Sequence, residues 1–164
     1  MNLWNRIKKL SIKQFFLLVI HFVSRPLFFF PTHRATARTL AISKKLFGQK
    51  HHKNNSANAF RHALWNVLIS LYCFKVSKSV EKSITWAEKI TALHEKLAPN
   101  SELEMQMDLH NNEMGRILFL KLRLEKEKED AIITILQDKM KTSKKVTNIL
   151  EIENEKDEFV YIEA

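Results

Sequence analysis

Apolar residues recur at helical spacing through most of this chain, and the texture changes only from Val146 onward. When each residue is turned by about 100°, Phe60, Ala63, Leu64, Val67, Leu71 and Phe74 fall on one side of a helix. Asn58, Arg61, His62, Trp65 and Ile69 fall on the other. A face meant only for water would not carry Trp65 and Ile69, so this helix is expected to be covered all round, with His62 in a partly dry setting. The punctuation predicts its ends and its neighbours. Pro31-Thr32 opens a first helix with Thr32 as N-cap, and Gly48 closes it. A polar loop, His51–Asn55, leads to the second helix, from about Ser56 as N-cap to about Phe74. A third runs from Ser79 to about Leu97, and Ala98-Pro99-Asn100 breaks it. Ser101-Glu102-Leu103-Glu104 reads as a capping box for a helix to about Leu124, and a charged helix spans roughly 125–141. Beyond it, β-branched and aromatic residues around Glu155-Lys156-Asp157 read as a small hairpin or extended tail.

The expected fold is therefore mainly α, a compact bundle of about five to six helices with a short C-terminal β-hairpin or extended tail. Composition agrees: two glycines and three prolines in 164 residues give too few turns for a many-stranded sheet. That length suits one domain. We divide it into a basic, aromatic amino-terminal segment, 1–30, a helical domain carrying the polar motifs, 31–142, and a tail, 143–164. Cys73 is the one cysteine, so no internal disulfide forms, and its apolar surroundings fit a small buried hydrophobe in a cytoplasmic protein.

Charge changes the picture by its position. Of the 27 Lys and Arg, 14 precede Glu81, and none of the 18 Asp and Glu does. A purely cationic half points to an anionic partner. The stretch 15–30 is the greasiest, but no small-residue cleavage site follows it, and Arg25 and Pro26 interrupt it below the ~20 apolar residues of a spanning helix. Two readings of this stretch remain: an interfacial helix at the inner face of a membrane, in which Trp4, many Phe and flanking cations would sit at headgroup level, or short helices burying Phe in the core. Nucleic acid is the weaker anionic partner, because the basic residues are not interleaved with aromatics as a strand-tracking groove requires.

The candidate chemistry lies on the inward faces. On the third helix Val80, Ile84, Ala87, Ile90, Thr91, His94 and Leu97 share one stripe, which turns His94 inward and leaves Glu95 at its border. On the fourth, Asp108 and Asn112 are neighbours on a narrow stripe with Gly115, and a mid-helix glycine, costing about 1 kcal/mol against alanine, marks a close approach of backbone or ligand. His110, between Met107 and Met114, reads as a core residue, and His51-His52 as a solvated loop. Burying His62, His94, Glu95, Asp108, Asn112 and nearby Arg61 together demands a network.

These segments stand as Asn58-Ala59-Phe60-Arg61-His62-Ala63-Leu64-Trp65, then His94-Glu95, then Met107-Asp108-Leu109-His110-Asn111-Asn112-Glu113-Met114-Gly115-Arg116. In that order the chain, over about residues 31–120, resembles a family of bacterial domains with the signature Asn/Asp-Ala-Phe-Arg-His-Ala-x-Trp, His-Glu and Met-Asp-x-x-Asn-Asn-x-x-Gly-Arg. Members of that family occur as small free-standing proteins and as the tail of larger surface or toxin-like ones. The resemblance implies which residues matter and names no reaction. Asn58 stands where some members carry Asp, so that carboxylate is missing here.

Two functions fit. One is a hydrolase in which His62, His94 and Asp108 bind a divalent metal or act directly, with Glu95 as general base or acid and Arg61, Arg116 and Asn112 stabilising negative charge. Its substrate would be anionic, such as a phospholipid or another phosphodiester. The other is a non-catalytic module on an anionic membrane surface, its polar cluster holding the helices in register. There is no glycine-rich phosphate loop and no cysteine-based metal motif.

Overall fold

The structure, a computed structural model, describes residues 23–97 and 100–163. Residues 1–22 of the expected amino-terminal segment, and Ala98 and Pro99 of the expected helix break, lie outside them. The described residues form six α-helices with a two-strand sheet near the carboxyl end. Helix α1 spans Phe29–Phe47, α2 Ser56–Ser77, α3 Val80–Leu97, α4 Glu102–Lys121, α5 Glu129–Lys141 and α6 Ile149–Asn154. The mainly helical reading is thus what the molecule shows.

Several ends differ by one to four residues from the sequence expectation, and at the starts of α1 and α2 the local reason is visible. Helix α1 begins after a 3₁₀ turn at Pro26–Phe28, which places Pro31 inside the first turn, where its missing N–H breaks no ladder bond. Thr32 therefore does not cap. Its hydroxyl donates to the Phe28 carbonyl at 2.7 Å and accepts from Trp86 Nε1 at 2.8 Å. Asn55 rather than Ser56 caps α2, accepting from the N–H groups of Ala57 and Asn58. Gly48, at φ +58°, ends α1 as its sequence position implied, and Ser101 with Glu104 forms the expected capping box on α4.

Helix α2 is the axis of the bundle and packs against α1, α3, α4 and α5. Phe60, Leu64, Leu68 and Ile69 on it are fully buried, as are Phe119 on α4 and Leu136 on α5. Each such side chain contributes about 1.5–3 kcal/mol of burial free energy. Cys73 lies in this core with its thiol pushed up to about 12, chiefly by burial, which makes it inert. Between α2 and α4 the backbones nearly touch: a Cβ built on Gly115 would stand 2.4 Å from the Ala63 carbonyl oxygen. The glycine's cost is thus explained by backbone, and the approach brings the polar faces of both helices together.

The tail is not a hairpin. Strand β1, Lys144–Lys145, pairs in parallel with β2, Val160–Tyr161, because α6 intervenes and carries the chain back to the same end. Asn148, whose side chain accepts from the Glu151 N–H, starts that helix where β-branched residues had suggested a strand. Asn111 holds the tail: its Nδ2 donates to the Val160 carbonyl at 2.8 Å and its Oδ1 accepts from the Val160 N–H at 3.0 Å. His110 adds a contact of 2.9 Å to the Glu158 carbonyl, and Val146, Ile152 and Val160 pack on Met107.

Candidate functional site

Helical spacing stacks the inward polar residues in two layers. His62 and Asn66 lie four apart on α2, Thr91 and Glu95 four apart on α3, and Asp108, Asn112 and Arg116 at fours on α4. The first layer holds His62, Glu95, Asp108 and Asn112, and the second Asn66, Thr91 and Arg116. Glu95, at 1% exposure, is the most deeply buried acid of the group; His62 and Asp108 are buried with it.

The second layer fixes the first. Asn66 Oδ1 accepts from Arg116 Nη1 at 3.0 Å and from the Thr91 hydroxyl at 3.2 Å, so its Nδ2 must face the other way. That Nδ2 donates to Asn112 Oδ1 at 2.7 Å, and Asn112 Nδ2 in turn donates to Glu95 Oε1 at 3.0 Å. His62 Nδ1 lies 3.2 Å from Asn112 Oδ1 and 3.5 Å from Glu95 Oε1. Two acceptors on that side place the imidazole proton on Nδ1. Nε2 then carries the lone pair. It accepts from Arg61 Nη2 at 2.6 Å and lies 3.2 Å from Asp108 Oδ1.

The two carboxyls are driven apart in acidity. Burial works to raise Glu95, but the hydrogen bond of His62, the neighbouring His94 and the Asn112 amide outweigh it and hold the Glu95 carboxyl below the usual range. Asp108 is pushed up to about 6, first by burial and further by the charge of Glu95, against the opposing pull of Arg61. Such a split is the pattern of an acid and base pair. Glu95 Oε2 and Asp108 Oδ1 are buried without any hydrogen-bond partner. Ligand atoms of His62, Glu95 and Asp108 all lie within 4.8 Å of one another.

The sequence candidates divide accordingly. His62, Glu95, Asp108, Asn112 and Arg61 come together, and Arg61 also donates to Asn58 Oδ1 at 2.9 Å, so that uncharged residue positions the guanidinium. His94 is half-buried with its ring edge-on to Trp65, centroids 5.0 Å apart, and Glu95 takes its place in the three-residue ligand group. The orientation of these two neighbours is the reverse of the sequence expectation. Among the described residues, Arg116 meets the first layer through Asn66. Its other side borders a half-open cavity of about 370 Å³, where Glu88, Glu113, Glu153 and Glu155 surround Arg116 and Lys156. That lining repels an anion.

Sequence reasoning placed Thr91 on the inward stripe but gave it no role, and it missed Asn66 and Asn100, whose Nδ2 donates to Asp108 Oδ2 at 3.3 Å. Asn66 shares the helical column of His62, and the same rotation would have found it. His51 was expected in a solvated loop. It is 2% exposed, its ring 3.9 Å from that of exposed His52, because a 3₁₀ turn at Lys50–His52 folds it inward against α2.

Residues 19–144 match the family described as a domain of unknown function, DUF6973. The chain belongs to that family. No curated protein and no solved structure matches it. All of the first-layer and second-layer residues of this DUF6973 domain fall within the matched stretch. No helix among the described residues is long and apolar enough to cross a membrane.

Proposed function

We propose that this DUF6973 domain is a metal-assisted hydrolase acting on an anionic substrate such as a phospholipid or another phosphodiester, at the cytoplasmic face of a membrane. The observation that carries the reading is the pair of unpartnered carboxylate oxygens, Glu95 Oε2 and Asp108 Oδ1, facing one imidazole inside the bundle. A buried carboxylate oxygen without a partner costs on the order of 1–3 kcal/mol, and one divalent cation would satisfy both. One imidazole and two carboxylates suit zinc, manganese or ferrous iron, and three protein ligands leave a position open for water.

A bound cation would supply a Lewis acid and lower the pKa of that water. His62 offers it a ring nitrogen, Nε2 on the Asp108 side or Nδ1 on the Glu95 side. Where Nε2 is the ligand, Arg61, which now donates to it, must swing aside, and its half-buried position leaves it room to meet a substrate anion instead. Arg61 and Asn100 offer donors to a substrate anion, whereas the cavity beside Arg116 is lined with glutamates.

The test is cation binding by the full chain, followed by calorimetry and metal analysis with zinc and manganese. One cation per chain is expected, lost in Glu95→Gln and in His62→Asn. Arg61→Gln removes a competing positive charge and tightens binding about tenfold, while slowing hydrolysis of a phosphodiester. A chain that binds neither metal, and that unfolds in Glu95→Gln, carries a structural network and no such centre.

A further inference from the structure

A second surface, remote in kind from the buried site, has apolar and basic residues side by side. Where the described chain begins, Val23 is 71% exposed, Leu27 60%, Phe29 44% and Phe30 77%. The rings of Phe29 and Phe30 meet edge to face at 5.3 Å, so they present one apolar ledge. Four large apolar side chains held in water within eight residues are more than scattered surface leucines explain.

Basic residues continue from this ledge. Arg25 lies within it, and His33, Arg34, Arg38, Lys44 and Lys45 are exposed along α1, which contains no acid. Arg34 lies over the Tyr72 ring at 5.6 Å from its centroid, and Lys75 over the same ring at 5.3 Å. Two acids reach this side from the start of α5: Glu129 is engaged by Arg38 at 2.6 Å and by the Tyr72 hydroxyl at 2.9 Å, and the charge of exposed Asp130 also falls on Arg38. Both act at Arg38, and the remaining cations leave the face positive.

We propose that this ledge and the exposed side of α1 are a docking face for an anionic phospholipid bilayer, with Leu27 and Phe30 entering the headgroup layer and Arg25, Arg34 and the α1 lysines meeting lipid phosphates. Charge complementarity selects the occupant. A second copy of the chain, pairing about a two-fold axis, would set arginine against arginine. The preceding residues 1–22 carry Arg6, Lys8, Lys9 and Lys13 and no acid, so they share the sign of the face and cannot neutralise it. A bilayer carrying anionic headgroups supplies both the apolar layer and the opposite charge. The inference does not rest on the hydrolytic reading.

The experiment is co-sedimentation of the full chain with phosphatidylcholine vesicles and with mixed phosphatidylcholine and phosphatidylglycerol vesicles, at low and high salt. Binding is expected to the mixed vesicles only, and to weaken as salt rises. Leu27→Ser/Phe30→Ser should cut partitioning at least about tenfold, and Arg34→Glu/Lys45→Glu by a similar factor, with helicity, Tm and cation binding retained because all four side chains are exposed. Equal binding to neutral vesicles, or binding unchanged in Leu27→Ser/Phe30→Ser, overturns the proposal. So does a fall in oligomeric mass in that variant without loss of lipid binding, which would make the ledge a contact between copies.

Discussion

Asn66 and Asn112 are joined by a 2.7 Å hydrogen bond from the Nδ2 of the first to the Oδ1 of the second, and this bond sets the direction of the Asn112 amide. With Asn112 Oδ1 so occupied, its Nδ2 faces Glu95, and His62 is left to donate from Nδ1. Replacing Asn66 by Asp keeps acceptors for Arg116 and Thr91 but sets oxygen against oxygen at Asn112, whose amide must then flip. We expect the nitrogen spectrum of His62 to report an Nδ1–H tautomer in the parent chain and to change in Asn66→Asp. Asn66→Ala instead removes the partner of Asn112 and Arg116, while the Thr91 hydroxyl keeps its 2.8 Å bond to the Ala87 carbonyl, at a cost of about 1–3 kcal/mol in urea unfolding. An unaltered His62 tautomer in the Asp variant would show that Asn112 is oriented by something other than Asn66.

Gly115 makes a sharper demand. Alanine is the better helix former by about 1 kcal/mol, so on propensity alone Gly115→Ala stabilises. The added methyl would meet the Ala63 carbonyl at 2.4 Å, and backbone cannot step aside as a flexible side chain can. The helices must separate, and overpacking of this kind costs about 1–3 kcal/mol or more. A lower Tm is expected, together with loosening of the contacts between His62 and Asn112. If Gly115→Ala raises the Tm, α2 and α4 are not packed as closely as described.

How far the sequence reached depends on whether a feature is local to one helix. The broad faces of α2 and α4, the Ser101 capping box and the inward turn of His62 and Asp108 follow from rotation along one helix and were legible. Which of His94 and Glu95 points inward was not, because they straddle the edge of a stripe and the packing of Trp65 against His94 decides it. The tail was misread for a related reason: Asn111 on a distant helix supplies the hydrogen bonds that hold Val160, and no pattern within residues 143–164 announces such a partner. The neighbouring asparagines of α4 thus serve different ends, Asn111 the tail and Asn112 the site.

Asp108 is where stability and function should oppose each other. Burial holds its carboxyl at about 6, well above the usual range, so at neutral pH the metal-free chain keeps an ionised group in a place that favours the neutral one. Asp108→Asn removes that charge and keeps the size. We expect its Tm at pH 7.5 in the presence of a chelator to exceed that of the parent chain, while zinc and manganese binding is lost. A destabilised Asp108→Asn variant would mean that the carboxylate is needed by its neighbours in the absence of metal.

His51 should govern part of the acid limb. It is buried with its Nδ1 unpartnered, and burial, assisted by the charges of His52 and Arg61, pushes its pKa down to about 4 from the ordinary 6.5. The unfolded chain therefore takes up this proton near 6.5, and the folded chain only near 4. Below 6.5 the unfolded state binds more protons, so stability falls as pH drops through the window from 6.5 to 4 and is unaffected by this group above it. His51→Gln has no such proton to take up, and its urea midpoint should change less than that of the parent chain between pH 7.5 and 4.5. His52, exposed beside it, makes the control: His52→Gln should leave most of the acid limb in place. Parallel pH profiles for His51→Gln and the parent chain would show that His51 is protonated in the folded state as readily as in water, and that the turn at Lys50–His52 opens to allow it.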